Sequence, residues 1–142
     1  MRKVSDILTR KGTAVTSIDA STSVLDALRL MAEKNIGSII ITKNNEYVGL
    51  LTERDYARKV VLMGRSSEET IVRDIMSTEI PRITPNNSIE TCMHLMSEGN
   101  VRYLPVFIDN KLSGIVSIND VVTETILSHE QTIEHLQSYI QS

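Results

Sequence analysis

The sequence predicts an α+β (α/β) chain made of two matching β-α-β-β-α repeats followed by a C-terminal helix. The first observation is that the stretch Gly49–Asp55 returns as Gly114–Asp120, a spacing of 65 residues (114 − 49), and that matching positions keep this spacing without a gap. The second is that each copy contains a helix-spaced apolar run followed by two short segments rich in β-branched residues. We place the repeats at 1–64 and 71–128, the linker at 65–70 and the extra helix at 129–142.

The first helix of each repeat is predicted from its caps and its spacing. Ser23 and Ser88 suit the N-terminal cap, where a hydroxyl oxygen accepts an amide hydrogen bond. Apolar residues then recur three and four positions apart until Asn35 and Asn100, which suit the left-handed residue that ends a helix. Short strands are expected before these helices, at 14–18 and 80–83.

Two strands and a second helix complete each repeat. The strands are predicted at 37–42 and 47–51, and at 102–108 and 112–116, because polar turns separate runs of β-branched residues as in a β-hairpin. Pro105 has no amide hydrogen, which predicts an edge strand or a bulge. In the second helix of the first repeat, the residues expected on one face are Tyr56, Val60 and Met63.

The C-terminal segment 129–142 carries apolar residues three and four positions apart, which is typical of a helix that docks on a partner or forms an oligomer. These residues are Ile133, Leu136 and Ile140.

Composition and charge argue against several classes of protein. A net charge of −3 argues against a broad nucleic-acid surface, which would need many Lys and Arg side chains to neutralise phosphates. A single cysteine cannot form an internal disulfide, and the polar opening of the chain does not resemble a signal peptide. The longest apolar runs are far shorter than the ~20 residues of a membrane-spanning helix. We therefore expect a cytoplasmic protein that binds neither membranes nor nucleic acids.

The repeated stretch places a hydroxyl residue three positions before an aspartate, where a strand is expected to run into a helix. The pairs are Thr52 with Asp55 and Ser117 with Asp120. One interpretation is purely structural, because this spacing is also that of a helix capping box. The other is a ligand site, in which free backbone amides and the hydroxyl bind a phosphate while the carboxylate accepts hydrogen bonds from a ribose diol. Occurrence in both copies favours the nucleotide site.

This motif, its duplication and the order of elements resemble the tandem cystathionine-β-synthase (CBS) domain family. The hallmark of that family is a glycine, apolar residues, Thr or Ser, two variable residues and Asp, and both stretches match it in full. The resemblance covers the chain apart from its C-terminal helix. It implies a pseudo-twofold pair, the Bateman module, whose central cleft binds adenosine-containing ligands such as AMP, ADP, ATP, NAD or S-adenosylmethionine, with no catalytic cofactor. It also implies a homodimer.

The resemblance assigns ligand contacts by position. The aspartates would hold two riboses and the hydroxyls would touch phosphate. The motif residues are Thr52, Arg54 and Asp55, and Ser117, Asn119 and Asp120. The residues lining the cleft would be Thr16, Ile18, Ile36, Gly37, Ser38 and Ile39 in the first repeat, and Arg82, Ile83, Val101, Arg102, Tyr103, Leu104 and Pro105 in the second. Because smaller residues line the first repeat, we expect its pocket to be roomier and the two preferences to be unequal.

Three functions remain open from the residues alone. The favoured one is a regulatory module that senses an adenine nucleotide and passes the change to a partner protein. A scaffold whose motifs are only helix caps is the second. A small nucleotide-processing enzyme that uses Asp55 or Asp120 is the third, and the sequence argues against it. It lacks a glycine-rich phosphate loop, its histidines have no metal-like spacing, and Cys92 occupies a small helix position that predicts a packed, reduced thiol.

Overall fold

The computed structural model describes residues 2–141, except that the side chains of 132 and 139–141 are not described. In chain order the elements are α1 (Val4–Lys11), β1 (Ser17–Asp19), α2 (Val24–Lys34), β2 (Ser38–Lys43), β3 (Glu46–Thr52), α3 (Glu53–Tyr56), α4 (Ile89–Gly99), β4 (Tyr103–Ile108), β5 (Lys111–Ser117) and α5 (Ile118–Gln141). A π-helical turn covers Ala57–Val61 and a 3₁₀ turn covers Val72–Asp74. The predicted mixture of helices and small sheets is confirmed.

The chain divides into two compact units. We call Ala14–Ile80 the first unit, and Met1–Thr13 together with Pro81–Ser142 the second unit. This division differs from the predicted boundary at residue 1, because α1 lies with the second motif. Its Val4, Ile7 and Leu8 are buried, and Leu8 packs against Gly114 of β5.

The first unit contains a three-stranded sheet in the order β1-β2-β3. Strand β1 is parallel to β2, and β2 is antiparallel to β3. The turn between β2 and β3 contains Asn44 and Asn45 with positive φ, as a tight hairpin requires. Aliphatic residues of α2, β2 and β3 form the core beneath this sheet: Val24, Ala27, Met31, Ile39, Ile41 and Leu51.

The second unit repeats this plan with a reduced first strand. Strands β4 and β5 form an antiparallel pair, whereas the strand expected at 80–83 is a single bridge between Ile83 and Val106. Pro105 lies in β4, whose register shifts one residue later, between Val106 and Phe107. The proline carbonyl still accepts a hydrogen bond from the amide of Ile83 at 3.0 Å.

The predicted helix caps are confirmed. Ser23 and Ser88 accept amide hydrogen bonds from Asp26 and Thr91, each at 3.1 Å. Asn35 and Asn100 end α2 and α4 in the left-handed conformation. The predicted linker also contacts α2, because the carbonyls of Thr70 and Ser67 accept the amides of Val24 and Leu25. Thr70 is buried, so this segment packs against the first unit as well as linking the two repeats.

The two second helices differ from expectation and from each other. Helix α3 ends at Tyr56 and continues only as the π-helical turn, and Met63, expected on the buried face, is 70% exposed. Helix α5 runs unbroken through the boundary expected at 129, so the tail continues this helix instead of forming a separate one. Ile133 and Leu136 lie on it and are exposed. The side chain of Ile140 lies outside the described residues.

Candidate functional site

Each motif forms a reciprocal capping box where a strand meets a helix. The amide of Thr52 donates to the carboxylate of Asp55 at 3.0 Å, and the amide of Asp55 donates to the Thr52 hydroxyl at 3.1 Å. The amide of Ser117 donates to Asp120 at 2.8 Å, and that of Asp120 donates to the Ser117 hydroxyl at 3.1 Å. The structural interpretation of the spacing is therefore confirmed in both repeats.

The backbone amides at these junctions are largely occupied by the protein itself. The amide of Glu53 donates to the carbonyl of Gly37 at 3.2 Å, and the amide of Ile118 donates to that of Arg102 at 2.8 Å. With the capping bonds, three of the first amides at each junction have intramolecular acceptors. The expectation that free amides bind a phosphate is thus wrong for these groups.

The carboxylate of Asp55 is saturated. Its Oδ2 accepts from the amide and hydroxyl of Thr52, and its Oδ1 accepts from the Ser77 hydroxyl at 2.7 Å and pairs with Lys59 Nζ at 3.0 Å. Four donors fill the ~four acceptor positions of a carboxylate. Asp55 is also buried, with only 5% of its surface exposed. A diol could bind here only by displacing a donor.

The carboxylate of Asp120 retains acceptor capacity. Its Oδ2 accepts from the amide of Ser117 at 2.8 Å and from Lys11 Nζ at 2.7 Å, and the Ser117 hydroxyl also hydrogen-bonds to this carboxylate. Burial raises the pKa of Asp120, but the hydrogen bonds from Lys11 and Ser117 outweigh burial, so that this pKa lies below its usual value. Asp120 is therefore ionised near neutral pH, and its three described donors leave part of its acceptor capacity unused.

Each motif aspartate is paired with a lysine, but the two lysines come from different places. Lys59 lies one turn after Asp55, and its ammonium also donates to the carbonyl of Ile75 at 3.0 Å. Lys11 comes from α1, and its ammonium also donates to the carbonyl of Ile115 at 3.0 Å. Both motifs thus place a cation beside a hydroxyl and a carboxylate.

A charge reversal between the repeats explains why α1 lies on the second unit. The residue matching Lys59 at the 65-residue spacing is Glu124, which is fully buried. Glu124 pairs with Arg10 Nε at 2.8 Å and with an Arg2 nitrogen at 3.4 Å. Sequence reasoning missed Lys11 as a site residue. The change from Lys59 in the first repeat to Glu124 in the second was the available signal, because it removes the lysine that pairs with the motif aspartate in the first repeat.

The structure brings part of each predicted lining set to its motif. Ser38 lies opposite Thr52 and Tyr103 lies opposite Ser117 in the paired strands, while Gly37 and Arg102 bond to the helix starts. Arg54 and Asn119 follow the hydroxyl residues in α3 and α5, and Ile36 and Val101 precede β2 and β4. Thr16 precedes β1, where its carbonyl accepts the amide of Ile40, and Ile18 lies within β1.

The remaining lining residues have limited access to a ligand. Four of them have buried side chains, so only their backbone could reach one: Ile39, Ile83, Leu104 and Pro105. The guanidinium of Arg82 lies 4.1 Å from the centre of the Phe107 ring.

Two cavities lie at matching places in the units. One of about 300 Å³ is lined by α2, Ile36, Gly37 and Glu53. One of about 550 Å³ is lined by α4, α5, Val101 and Arg102. Neither is lined by a motif aspartate, so these cavities do not measure the predicted nucleotide pockets.

Other candidate chemistries find no support in the part of the chain that the structure describes. No group of three or more His, Cys, Asp or Glu residues there could hold a metal ion. Burial raises the pKa of Cys92 to about 11, which keeps this thiol protonated. His94 is exposed and lies 3.0 Å from Glu98. Among the described residues, no helix is both long and apolar enough to span a membrane.

Comparison with known proteins identifies relatives for nearly the whole chain. Residues 4–62 and 72–126 each match the CBS domain family. The CBS domain-containing protein CBSX3, mitochondrial, of Arabidopsis thaliana is 35% identical over 147 residues, covering 97% of this chain and 71% of that protein. A solved CBS-domain protein from Burkholderia ambifaria has a TM-score of 0.85 and 41% identity, covering 88% of this chain and 94% of that one. A hexameric CBS-CP12 protein from bloom-forming cyanobacteria has a TM-score of 0.77 and 26% identity, covering 97% and 83%.

Proposed function

Because this chain belongs to the CBS-domain family and carries two such domains in tandem, we propose that it is a regulatory module that senses an adenine nucleotide. AMP, ADP, ATP or NAD is the proposed ligand, bound at the motif residues. Occupancy would change the affinity of the module for a regulated partner protein. By linkage, that partner must then bind the liganded and empty forms with different affinity.

The observation that carries the proposal is the set of groups around Asp120. A hydroxyl, an ionised carboxylate with acceptor capacity left among its described bonds and a lysine ammonium lie together at Ser117, Asp120 and Lys11. These groups match a ribose phosphate, because a carboxylate accepts from the two hydroxyls of a ribose while the hydroxyl and the ammonium bind phosphate oxygens. An ammonium is not part of a capping box, although the first motif carries one too, at Lys59.

The two motifs should bind with unequal affinity. A nucleotide at Asp55 must displace Ser77 or Lys59, whereas Asp120 has one described donor fewer and can accept a further hydrogen bond. Displacing a hydrogen bond to a charged group costs about 1.5–3 kcal/mol. We therefore propose that the second motif fills first. This order depends on donor saturation and not on the pocket size expected from the sequence.

We also propose that the module self-associates, as the hexameric cyanobacterial relative does. The cytoplasmic location expected from the sequence stays a prediction, and the plant relative carries the word mitochondrial in its name. The scaffold interpretation is the second candidate function. It is favoured at the first motif, where the saturated Asp55 acts as a helix cap.

The test is calorimetric titration of AMP, ATP and NAD into the wild-type chain, followed by thermal unfolding. A ligand present at a hundred times its Kd should stabilise the fold by ~2.7 kcal/mol. Asp120→Asn keeps the size of the side chain and an acceptor for the cap, but removes the charge. We expect it to weaken the tighter binding event at least ~10-fold, since a hydrogen bond to a charged group contributes ~1.5–3 kcal/mol.

Asp55→Asn is the matched control, because it makes the same change in the other repeat. It should leave the tighter event in place. If no adenine nucleotide binds the wild-type chain, the scaffold function replaces the sensor. Steady conversion of a nucleotide to product would instead establish an enzyme. Equal losses in the two variants would contradict the proposed order of filling.

A further inference from the structure

Helix α5 carries an exposed apolar seam. The side chains of Val122, Ile126, Ile133 and Leu136 are between 51% and 55% exposed, although α5 is one unbroken helix. Val121 and Glu124, on another face, are buried in the second unit. From 129 to 138, every side chain that the structure describes is exposed. The final turns therefore lack a packing partner among the described residues.

The C-terminal turns of α5 would be stabilised by a partner that packs on their apolar face. Isolated helices shorter than ~12–15 residues are marginal in water, and most helices are stabilised by packing an amphipathic face. The part of α5 from 129 to 141 has about this number of residues. Their apolar residues contribute to stability only if something covers them.

The spacing along the seam specifies the kind of occupant. Successive seam positions are four, three, four and three residues apart, which is the heptad repeat of a coiled coil. The positions are Val122, Ile126, His129, Ile133 and Leu136. Isoleucine occupies the a positions, and Val122, His129 and Leu136 occupy the d positions. Within parallel coiled coils, β-branched residues at a with leucine at d favour two strands over a larger number. Ile140 continues the spacing in the sequence, although its side chain lies outside the described residues.

The charges beside the seam fit a second copy of the same helix. Of the described flanking positions, Thr123, Thr125 and Gln137 are uncharged and Glu130 is charged, so no e position of one copy meets a like charge at a described g position of the other. Glu130 follows His129, and in a parallel pair the e-position Glu130 of one copy lies beside the d-position His129 of the other. A single polar residue in the seam also fixes the register of a coiled coil. A strongly charged partner would find only Glu130 to pair with along these described flanks.

The same occupant would cover the cavity of the second unit. That cavity of about 550 Å³ is lined by Val122 and Ile126 of the seam together with Met93 and Ile118. These last two side chains are each 40% exposed. A helix lying along the seam passes over the cavity, so one partner buries both surfaces.

We propose that α5 pairs in parallel with α5 of a second copy of this chain, along the seam from Val122 to Leu136, with His129 setting the register. The inference rests on the self-association proposed above and adds its surface and its orientation. Because the pairing is parallel and in register, each seam residue meets its own copy across the twofold axis.

The test is oxidation of single-cysteine variants together with light scattering. Leu136→Cys places a thiol at a d position, where two copies meet in a parallel pair, and Ser138→Cys places one on the outward face two residues away. The native Cys92 does not interfere, because it is fully buried and its pKa is raised to about 11. We expect a disulfide-linked dimer from Leu136→Cys and none from Ser138→Cys.

A second pair of variants keeps the test independent of cysteine chemistry. Ile133→Asp should reduce the measured mass from that of a dimer or larger oligomer toward that of one chain, since it places a charge in the seam. Gln131→Asp, an exposed change outside the seam, should leave the mass unchanged. Neither residue is buried in the unit, so both variants should fold.

The outcomes separate this inference from self-association as such. A wild-type chain that stays a monomer overturns both. An oligomer that persists in Ile133→Asp, or that leaves Leu136→Cys unlinked, keeps the self-association and overturns the α5 pairing. Equal linking of both cysteine variants also overturns it, because contact would then be random.

Discussion

Substitution of the motif glycines by alanine provides a matched pair that tests the packing of the two repeats. Neither Gly49 nor Gly114 has a positive φ, so alanine suits the backbone at both positions and space decides the outcome. A Cβ at Gly49 would lie 2.7 Å from the sulfur of Met76 and 3.0 Å from the carbonyl oxygen of Ser77. A Cβ at Gly114 would lie 2.9 Å from one methyl carbon of Leu8.

The difference between these neighbours sets the expected magnitude. The Ser77 carbonyl cannot move freely, because Leu50 and Ser77 exchange two backbone hydrogen bonds of 3.0 and 2.8 Å. Overpacking costs about 1–3 kcal/mol, while replacing glycine by alanine stabilises by about 0.4–1 kcal/mol through the unfolded chain. We expect Gly49→Ala to lose about 1–2 kcal/mol of the free energy of unfolding. The methyl of Leu8 lies at the end of a flexible side chain, so Gly114→Ala should stay within about 1 kcal/mol of wild type.

Urea unfolding followed by circular dichroism measures both variants under the same conditions. The slope of the transition checks that each variant unfolds as the wild type does. A loss in Gly114→Ala equal to or greater than that in Gly49→Ala would refute the reasoning, because the fixed carbonyl would then not be the limiting contact.

Two further predictions concern the charges that hold α1. Glu124→Gln should lower the free energy of unfolding by about 1.5–3 kcal/mol and speed hydrogen exchange in α1, because it weakens a charged hydrogen bond to Arg10. The control is Glu134→Gln, which makes the same change at an exposed position. Equal effects of the two variants would contradict the role given to Glu124. Lys11→Met should raise the pKa of Asp120. A pKa below the unfolded value of about 3.9 stabilises the fold above that pH, and this stability is lost as the pH falls through the folded pKa. On acidification, Lys11→Met should therefore lose stability at a higher pH than the wild type. An acid-unfolding curve identical to that of the wild type would contradict the contact between Lys11 and Asp120.

The features that the sequence predicted correctly are those decided by nearby residues. Ser23 and Asn35 cap α2 at the expected positions, because a cap depends on a hydroxyl or a left-handed residue within one turn. The capping box at Thr52 and Asp55 is equally local. Because the sequence is duplicated, the same local patterns predicted the corresponding caps in the second repeat.

The features that escaped prediction depend on contacts distant in sequence. The opening segments 4–8 (VSDIL) and 72–76 (VRDIM) share the same pattern of apolar residues around an aspartate. Their pattern therefore does not reveal that α1 lies on the second unit. That choice follows from Glu124 and its pairing with Arg10, 114 residues away. The saturation of Asp55 likewise depends on Ser77 reaching it across 22 residues. The site residue Lys11 was missed for the same reason.

The proposed sensing of an adenine nucleotide is tested most directly by native mass spectrometry of the protein taken from cells and then titrated with AMP, ADP, ATP and NAD. We expect the mass of one adenine nucleotide per chain to appear first, with a second added only at higher ligand concentration. The first adduct should appear at the wild-type ligand concentration in Asp55→Asn and should need at least ~10-fold more ligand in Asp120→Asn. An absence of adducts with all four ligands, or adducts that persist when both aspartates are replaced, would contradict the proposed function.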